Sequence, residues 1–213
     1  MADMKALSEF LQKGKAKDVK ELVQQAVDAG MGAEEILDQG LLAGMNIIGV
    51  KFKNNEVFVP EVLIAARAMN AGMEILKPLL AAGNMENRGT VVIGTVKGDL
   101  HDIGKNLVGM MMKGKGLTVI DLGTDVPPAR FVEEAVANNA DIIACSALLT
   151  TTMKEMENVV KAVKEANLQD KIKVMVGGAP VTESFKNTIG ADSYTPDAAT
   201  AAEVALGLCS KSA

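Results

Sequence analysis

Val91-Val92-Ile93-Gly94-Thr95-Val96-Lys97-Gly98-Asp99-Leu100-His101-Asp102-Ile103-Gly104-Lys105-Asn106 decides how this chain is read. The apolar run Val91–Val96 predicts a strand buried on both faces, and a helical pattern begins near Lys105. Between them lies a glycine-flanked loop holding the only histidine of the sequence, His101. A strand–loop–helix unit sets that histidine at the carboxyl end of a strand, where open α/β sheets bind ligands. Asp99, two positions earlier, can hold one imidazole nitrogen while the other ligates a metal. Function is expected in this loop.

The same alternation continues downstream. Apolar runs at 90–96, 117–122, 141–147 and 172–176 alternate with helical stretches at 105–115, 128–138, 152–166 and 182–189. A weak strand near 192–194 and an Ala-rich helix from Ala198 to Leu208 complete the series. Continuous apolar strands alternating with helices predict a parallel sheet covered on both faces. Residues 90–213 are therefore expected to form a five-stranded, doubly wound, Rossmann-like (flavodoxin-like) domain, with strand order 2-1-3-4-5 assumed.

Upstream the period is helical throughout. Val19, Leu22, Val23, Ala26 and Val27 share one face, and Ile36, Leu37, Leu41, Gly44, Met45 and Ile48 form a second stripe. Val62, Ala66, Met69, Met73 and Leu76 make a third, opened by Pro60 and ended or kinked at Pro78. With Met4, Leu7 and Leu11 as a leading helix, residues 1–84 read as a four-helix bundle cap, and 85–89 as the linker. The fold class is thus α/β, a helical cap followed by the sheet domain.

Composition removes several function classes. A formal charge of −5 and a pI near 5.1, with 22 basic residues spread along the chain, argue against a nucleic-acid partner. No uninterrupted apolar span of ~18 residues suggests a membrane helix, and Met1–Gly14 has no secretory pattern, so a cytoplasmic protein is expected. Cys145 and Cys209 lack metal-site spacing, and Cys145 lies in an apolar strand pattern, as a buried free thiol would. The thirteen methionines suit helical cores.

Two further strand ends carry suggestive residues. Ser146-Ala147-Leu148-Leu149-Thr150-Thr151-Thr152 is rich in hydroxyls, and Gly177-Gly178 leaves backbone open to a bulky neighbour. Gly98 to Gly104-Lys105 is not a phosphate loop, because the glycine spacing is wrong and Asn106 stands where Ser or Thr would hold magnesium. Ser146 lacks the Gly-x-Ser-x-Gly elbow of a hydrolase.

Taken together, Asp99-x-His101-x-x-Gly104, Ser146-x-Leu148 and Gly177-Gly178 resemble the motifs of methyltransferase corrinoid proteins. These are related to the cobalamin-binding region of methionine synthase, and the likeness covers nearly the whole chain. It implies a bound cobalamin in which His101 replaces the cofactor's own benzimidazole as lower axial ligand to cobalt. Asp99 would hold His101, and Thr152 would take the place of a serine that continues the hydrogen-bond chain. Gly98, Leu100, Asp102 and Leu148 would line the cofactor loops. The detached nucleotide tail would run beside Gly104, Ser146, Thr150, Gly177, Gly178 and Ala198. Phe52, Val59 and Val62 would cover the upper face of the corrin.

The function so implied is carriage of a methyl group on cobalt, with little activity by the protein alone. A substrate-specific corrinoid methyltransferase would load it, and a second methyltransferase would pass the group to tetrahydrofolate or a thiol. A reductive activase is the third implied partner. Methyl-donor choice would lie in the loading enzyme. The alternative is a cobalamin-sensing regulatory module, which normally carries a DNA-binding helical unit, and nothing here is basic enough for one. The small subunit of a carbon-skeleton mutase would share only the sheet domain. A generic nucleotide binder remains if the motif is set aside.

Overall fold

The computed structural model describes residues 3–82 and 88–210, so the expected linker 85–89 falls mostly outside it. Of the described residues, 3–82 belong to one compact unit and 88–210, apart from Gly114–Gly116, to another.

The first unit holds α1 (Met4–Gln12), α2 (Ala16–Asp28), α3 (Ala33–Ile36), a π-helical segment (Leu37–Leu42), α4 (Ala43–Lys53) and α5 (Val59–Ala82). Asp3 starts α1 by accepting the backbone N–H groups of Lys5 and Ala6, each at 3.0 Å. Because α3, the π segment and α4 run on with helical dihedrals, residues 33–53 act as one helix carrying a π insertion, and four helices result. Leu7, Leu11, Val19, Val23, Ile36, Leu41, Met45, Ile48, Val62 and Leu76 fill the interior, as the periodicity predicts. Pro78 does not end α5, which continues to Ala82. A proline removes one N–H, and the carbonyl of Glu74 that it orphans belongs to an exposed residue that water can reach.

The second unit is a five-stranded parallel sheet in the order β2-β1-β3-β4-β5. Its strands are β1 (Thr90–Thr95), β2 (Thr118–Asp121), β3 (Ile142–Ser146), β4 (Lys173–Gly177) and β5 (Ser193–Tyr194). Between them run α6 (Ile103–Gly114), α7 (Pro128–Ala137), α8 (Met153–Glu165) and α9 (Glu183–Ile189), and α10 (Ala198–Cys209) closes the chain. All six residues of β1 are buried, as required of a central strand covered on both faces. Val92, Ile143 and Val174 pack with Phe131, Met156, Val159 and Val163 from α7 and α8. By strand alternation Val91, Ile93, Ile142 and Met175 face the opposite layer. Cys145 and Cys209 are free and buried, and burial pushes the Cys209 thiol up to about 11. Neither is placed to act as a nucleophile.

Register fixes the functional edge. Thr95 pairs with Ser146, and Ser146 with Gly177, so three strands end at one level. The crossover from β1 to β3, reversing direction from β2, makes the topological switch point at which open sheets bind ligands.

Gly94 lets the buried Phe131 ring lie on β1, since a Cβ there would come within 2.8 Å of Phe131 Cζ. Gly94→Ala should therefore cost about 1–3 kcal/mol by overpacking. Adding Phe131→Leu should cost less in that background than in the wild type, measured by urea unfolding of the four proteins in a double-mutant cycle. Strict additivity would contradict this packing.

Candidate functional site

Asp99 is the centre of the site, and its side chain is completely buried. Its Oδ1 accepts the backbone N–H of His101 at 3.1 Å and lies 2.7 Å from His101 Nδ1. Its Oδ2 accepts the backbone N–H groups of Leu148 and Leu149 at 2.8 and 3.2 Å and the Thr152 hydroxyl at 2.9 Å. One carboxylate thus joins the loop after β1 to the loop after β3. Burial alone would raise its pKa. The N–H groups of His101 and Leu148, the imidazole and the Thr152 hydroxyl outweigh burial and hold it well below the usual carboxylate range.

An ionised carboxylate only accepts, so the neutral His101 ring carries its proton on Nδ1. Its Nε2 is then the unprotonated nitrogen, the state a metal ligand needs. The side chain is 51% exposed, so that nitrogen is not sealed in.

Thr152 occupies the N-cap position of α8 but its side chain makes no capping bond. Its hydroxyl lies 2.9 Å from Asp99 Oδ2 and also 2.9 Å from the Leu149 carbonyl, and its single proton serves one of them at a time. The cap residue has been diverted to the carboxylate. Thr95, fully buried at the end of β1, donates its hydroxyl to the His101 carbonyl at 2.8 Å. Lys105, only 3% exposed, binds the carboxylate of Asp121 at the end of β2 and Asn106 Oδ1 at 2.8 Å.

The same loops expose large apolar side chains beside the imidazole. Leu100 is 73% and Ile103 76% exposed, and Leu148 and Leu149 are also open to solvent. A half-open imidazole set among exposed leucine and isoleucine fits a broad, largely apolar ring with a metal at its centre. Gly104, in the first turn of α6, has nothing within 4 Å of where a Cβ would stand, and near Gly177 the nearest such atom is the Thr195 carbonyl oxygen at 3.8 Å. Both leave room beside the backbone.

Other anticipated residues fall into distinct places. Ser146 ends β3, half-buried, and Thr150 is exposed in the following turn. Asp102 is exposed and accepts from the Asn106 side chain at 3.1 Å. Ala198 is buried in the first turn of α10, which Asp197 caps through Thr200. Gly178 has a reason that its sequence does not disclose: at a φ of +131°, a Cβ would collide with the Ala147 carbonyl oxygen. Its missing side chain serves the packing of its own backbone. In the helical unit Phe52 and Val59 are half-buried, while Val62 is enclosed in the interior.

Thr95, Lys105, Asp121 and Leu149 were not anticipated. Thr95 could have been noticed as a hydroxyl closing an otherwise apolar strand. Leu149 acts through its backbone N–H, which no side-chain pattern records.

Comparison with known proteins bears on this geometry directly. Residues 89–206 match a B12 binding domain, and residues 4–77 match a second domain of the same description. The chain belongs to the B12-binding corrinoid proteins. It is 43% identical over 204 residues to dimethylamine corrinoid protein 3 of Methanosarcina acetivorans, covering 94% of this chain and 96% of that one. It is 46% identical over 176 residues to trimethylamine corrinoid protein 1 of the same organism, covering 82% of each. A methanol:cobalamin methyltransferase complex from Methanosarcina barkeri has a chain of like fold, with a TM-score of 0.87 at 30% identity. That match spans 96% of this chain and 78% of the other. Among the described residues of this corrinoid protein, no helix is long and apolar enough to cross a membrane.

Asp99→Ala would take the acceptor from the N–H groups of His101, Leu148 and Leu149, while the Thr152 hydroxyl can turn to the Leu149 carbonyl, and should destabilise the cofactor-free protein by about 3–5 kcal/mol. Asp99→Asn retains an oxygen for Leu148 and Thr152 but turns N–H groups toward the donors of His101, and should cost about 1–3 kcal/mol. Urea unfolding checks the order; equal stability of all three proteins would contradict it.

Proposed function

We propose that this corrinoid protein carries a methyl group between two enzymes. One is a substrate-specific corrinoid methyltransferase, and the other passes the group to tetrahydrofolate or a thiol. The observation that carries the reading is the half-exposed His101 ring, its Nδ1 bound to a buried Asp99 and its surroundings apolar. When bound, the corrin supplies the methyl-transfer chemistry at its cobalt.

The chain's own residues bind, orient and shield. His101 Nε2 would hold the cobalt in place of the cofactor's benzimidazole. Asp99 keeps the proton on Nδ1 and lends the ring basicity, as carboxylates behind metal-bound histidines do. Thr152 supplies the next hydrogen bond. Gly98, Leu100, Asp102 and Leu148 border the ring. Gly104, Ser146, Thr150, Gly177, Gly178 and Ala198 line the path of the nucleotide tail. Phe52, Val59 and Val62 are assigned to cover the upper face and exclude water; the first two are partly accessible and Val62 is buried.

None of the residues gathered at the site suits activation of a methyl donor, so donor choice is assigned to the loading enzyme. Relatives named for dimethylamine, trimethylamine and methanol systems support that division. A methylamine is the favoured donor class, because the relatives of 43–46% identity cited above bear methylamine names. A reductive activase is assigned to keep the carrier in its reactive state, and the compartment is taken to be the cytoplasm.

Mixing apoprotein with hydroxocobalamin and then desalting should leave coloured protein at one corrin per chain. His101→Gly should keep most of the corrin through the tail crevice but with an altered visible spectrum. After reduction, cell extract with dimethylamine or trimethylamine should methylate the bound corrin, read by absorbance. Wild-type protein that emerges colourless from desalting would overturn the assignment.

A further inference from the structure

The connection from β2 to α7 contains an aspartate in a backbone conformation that few residue types accept. Asp125 sits at a φ of +55°, in the left-handed region that side chains other than glycine, asparagine and aspartate seldom adopt. Such a conformation persists only where its surroundings hold it. Here they do so on both sides: Thr95 N–H donates to the Gly123 carbonyl at 2.9 Å, and Val126 N–H donates to the Thr95 carbonyl at 3.0 Å. Val96 and Val126 also form a parallel bridge. Asp125 is thus mounted on the end of the central strand.

From that mount it grips one dipeptide twice. Gly98 N–H donates to Asp125 Oδ1 at 2.7 Å, and Asp125 N–H donates to the Asp99 carbonyl at 3.0 Å. The two bonds bracket Gly98-Asp99, the residues immediately before the histidine loop, and Gly98 itself turns there with a φ of +80°. The far side of the loop is tied to the strand that leads into this connection, since Asp121 at the end of β2 holds Lys105. The end of β2 and the connection after it therefore hold the histidine loop on both sides of His101.

We infer that Asp125 is a positioning residue for His101: by fixing the Gly98–Asp99 peptide it aims the Asp99 carboxylate at Nδ1 and so sets which imidazole nitrogen is free. Packing alone does not require an acid at this exposed position. The carboxylate is used to seat the Gly98 N–H, and the left-handed turn brings the Asp125 N–H onto the Asp99 carbonyl. The value of this to the corrin rests on His101 being the cobalt ligand, but the effect on the ring exists without the cofactor.

A single histidine makes the test unambiguous. Long-range 15N–1H correlation spectra of full-length apoprotein at a pH where the ring is neutral report which nitrogen carries the proton. Wild type and Asp125→Asn, which keeps an oxygen acceptor and tolerates the left-handed turn, should both show the Nδ1–H form. Asp125→Gly, which adopts that turn without strain but has no acceptor, should show a several-fold rise in the Nε2–H form, and Asp125→Ala the same. Wild-type imidazole shifts in the glycine variant would overturn the inference. Should the alanine variant fail to fold, the glycine variant decides. Corrin retention, measured separately on the same proteins, tests the ligand assignment on its own: wild-type protein that holds no corrin would remove that assignment and leave the positioning result standing.

Discussion

A charge buried without partners would cost several kcal/mol, and the Asp99 carboxylate is fully buried. The site is the structural answer to that constraint. Five donors converge on two oxygens, and they come from both sides of the switch point: His101 after β1, and Leu148, Leu149 and Thr152 after β3. Holding the carboxylate ionised therefore also draws the two loops together. It also decides the histidine tautomer, because an ionised acceptor at Nδ1 leaves Nε2 as the basic nitrogen. The joining of the two loops and the imidazole tautomer rest on one side chain.

Around this centre the sheet acts as a rigid edge. Thr95, Ser146 and Gly177 are in register, so loops leaving β1, β3 and β4 start at the same level. Sites mounted on strand ends are held more precisely than sites built from free loops. The Thr95 hydroxyl on the His101 carbonyl extends that rigidity one turn further into the loop. The exposed apolar side chains at Leu100, Ile103, Leu148 and Leu149 contrast with this polar centre, leaving a surface that a flat apolar ligand can cover.

Much of this was legible in the sequence because it depends on period and on side-chain type. Continuous apolar strands marked the parallel sheet, and its order is the one assumed for a doubly wound domain. Asp99 and His101 were found by chemistry and spacing and Thr152 only through the family resemblance, and the structure brings the three into one hydrogen-bonded chain. What escaped was carried by the backbone or by geometry. The π-helical segment Leu37–Leu42 keeps an apolar stripe that reads as ordinary helix. Gly178 reads as space for a ligand, and a second demand for glycine there, the nearness of its own chain at Ala147, is not visible in the sequence. Asp125 sits in a loop of ordinary composition, and only its dihedral angle and its two bonds reveal it. Pro78 reads as the end of a helix or as a kink, and α5 runs past it to Ala82.

The central claim is that His101, held by Asp99, is the nitrogen on cobalt. Pulsed electron paramagnetic resonance of the cobalt(II) form tests it most directly, using protein labelled with 15N only at histidine and loaded with unlabelled cobalamin. With one histidine in the chain, a strong 15N coupling can come from no other residue. The account predicts that coupling in the wild type and its loss in His101→Gly. A strong 14N coupling from the cofactor's own base, with no 15N coupling, would contradict it.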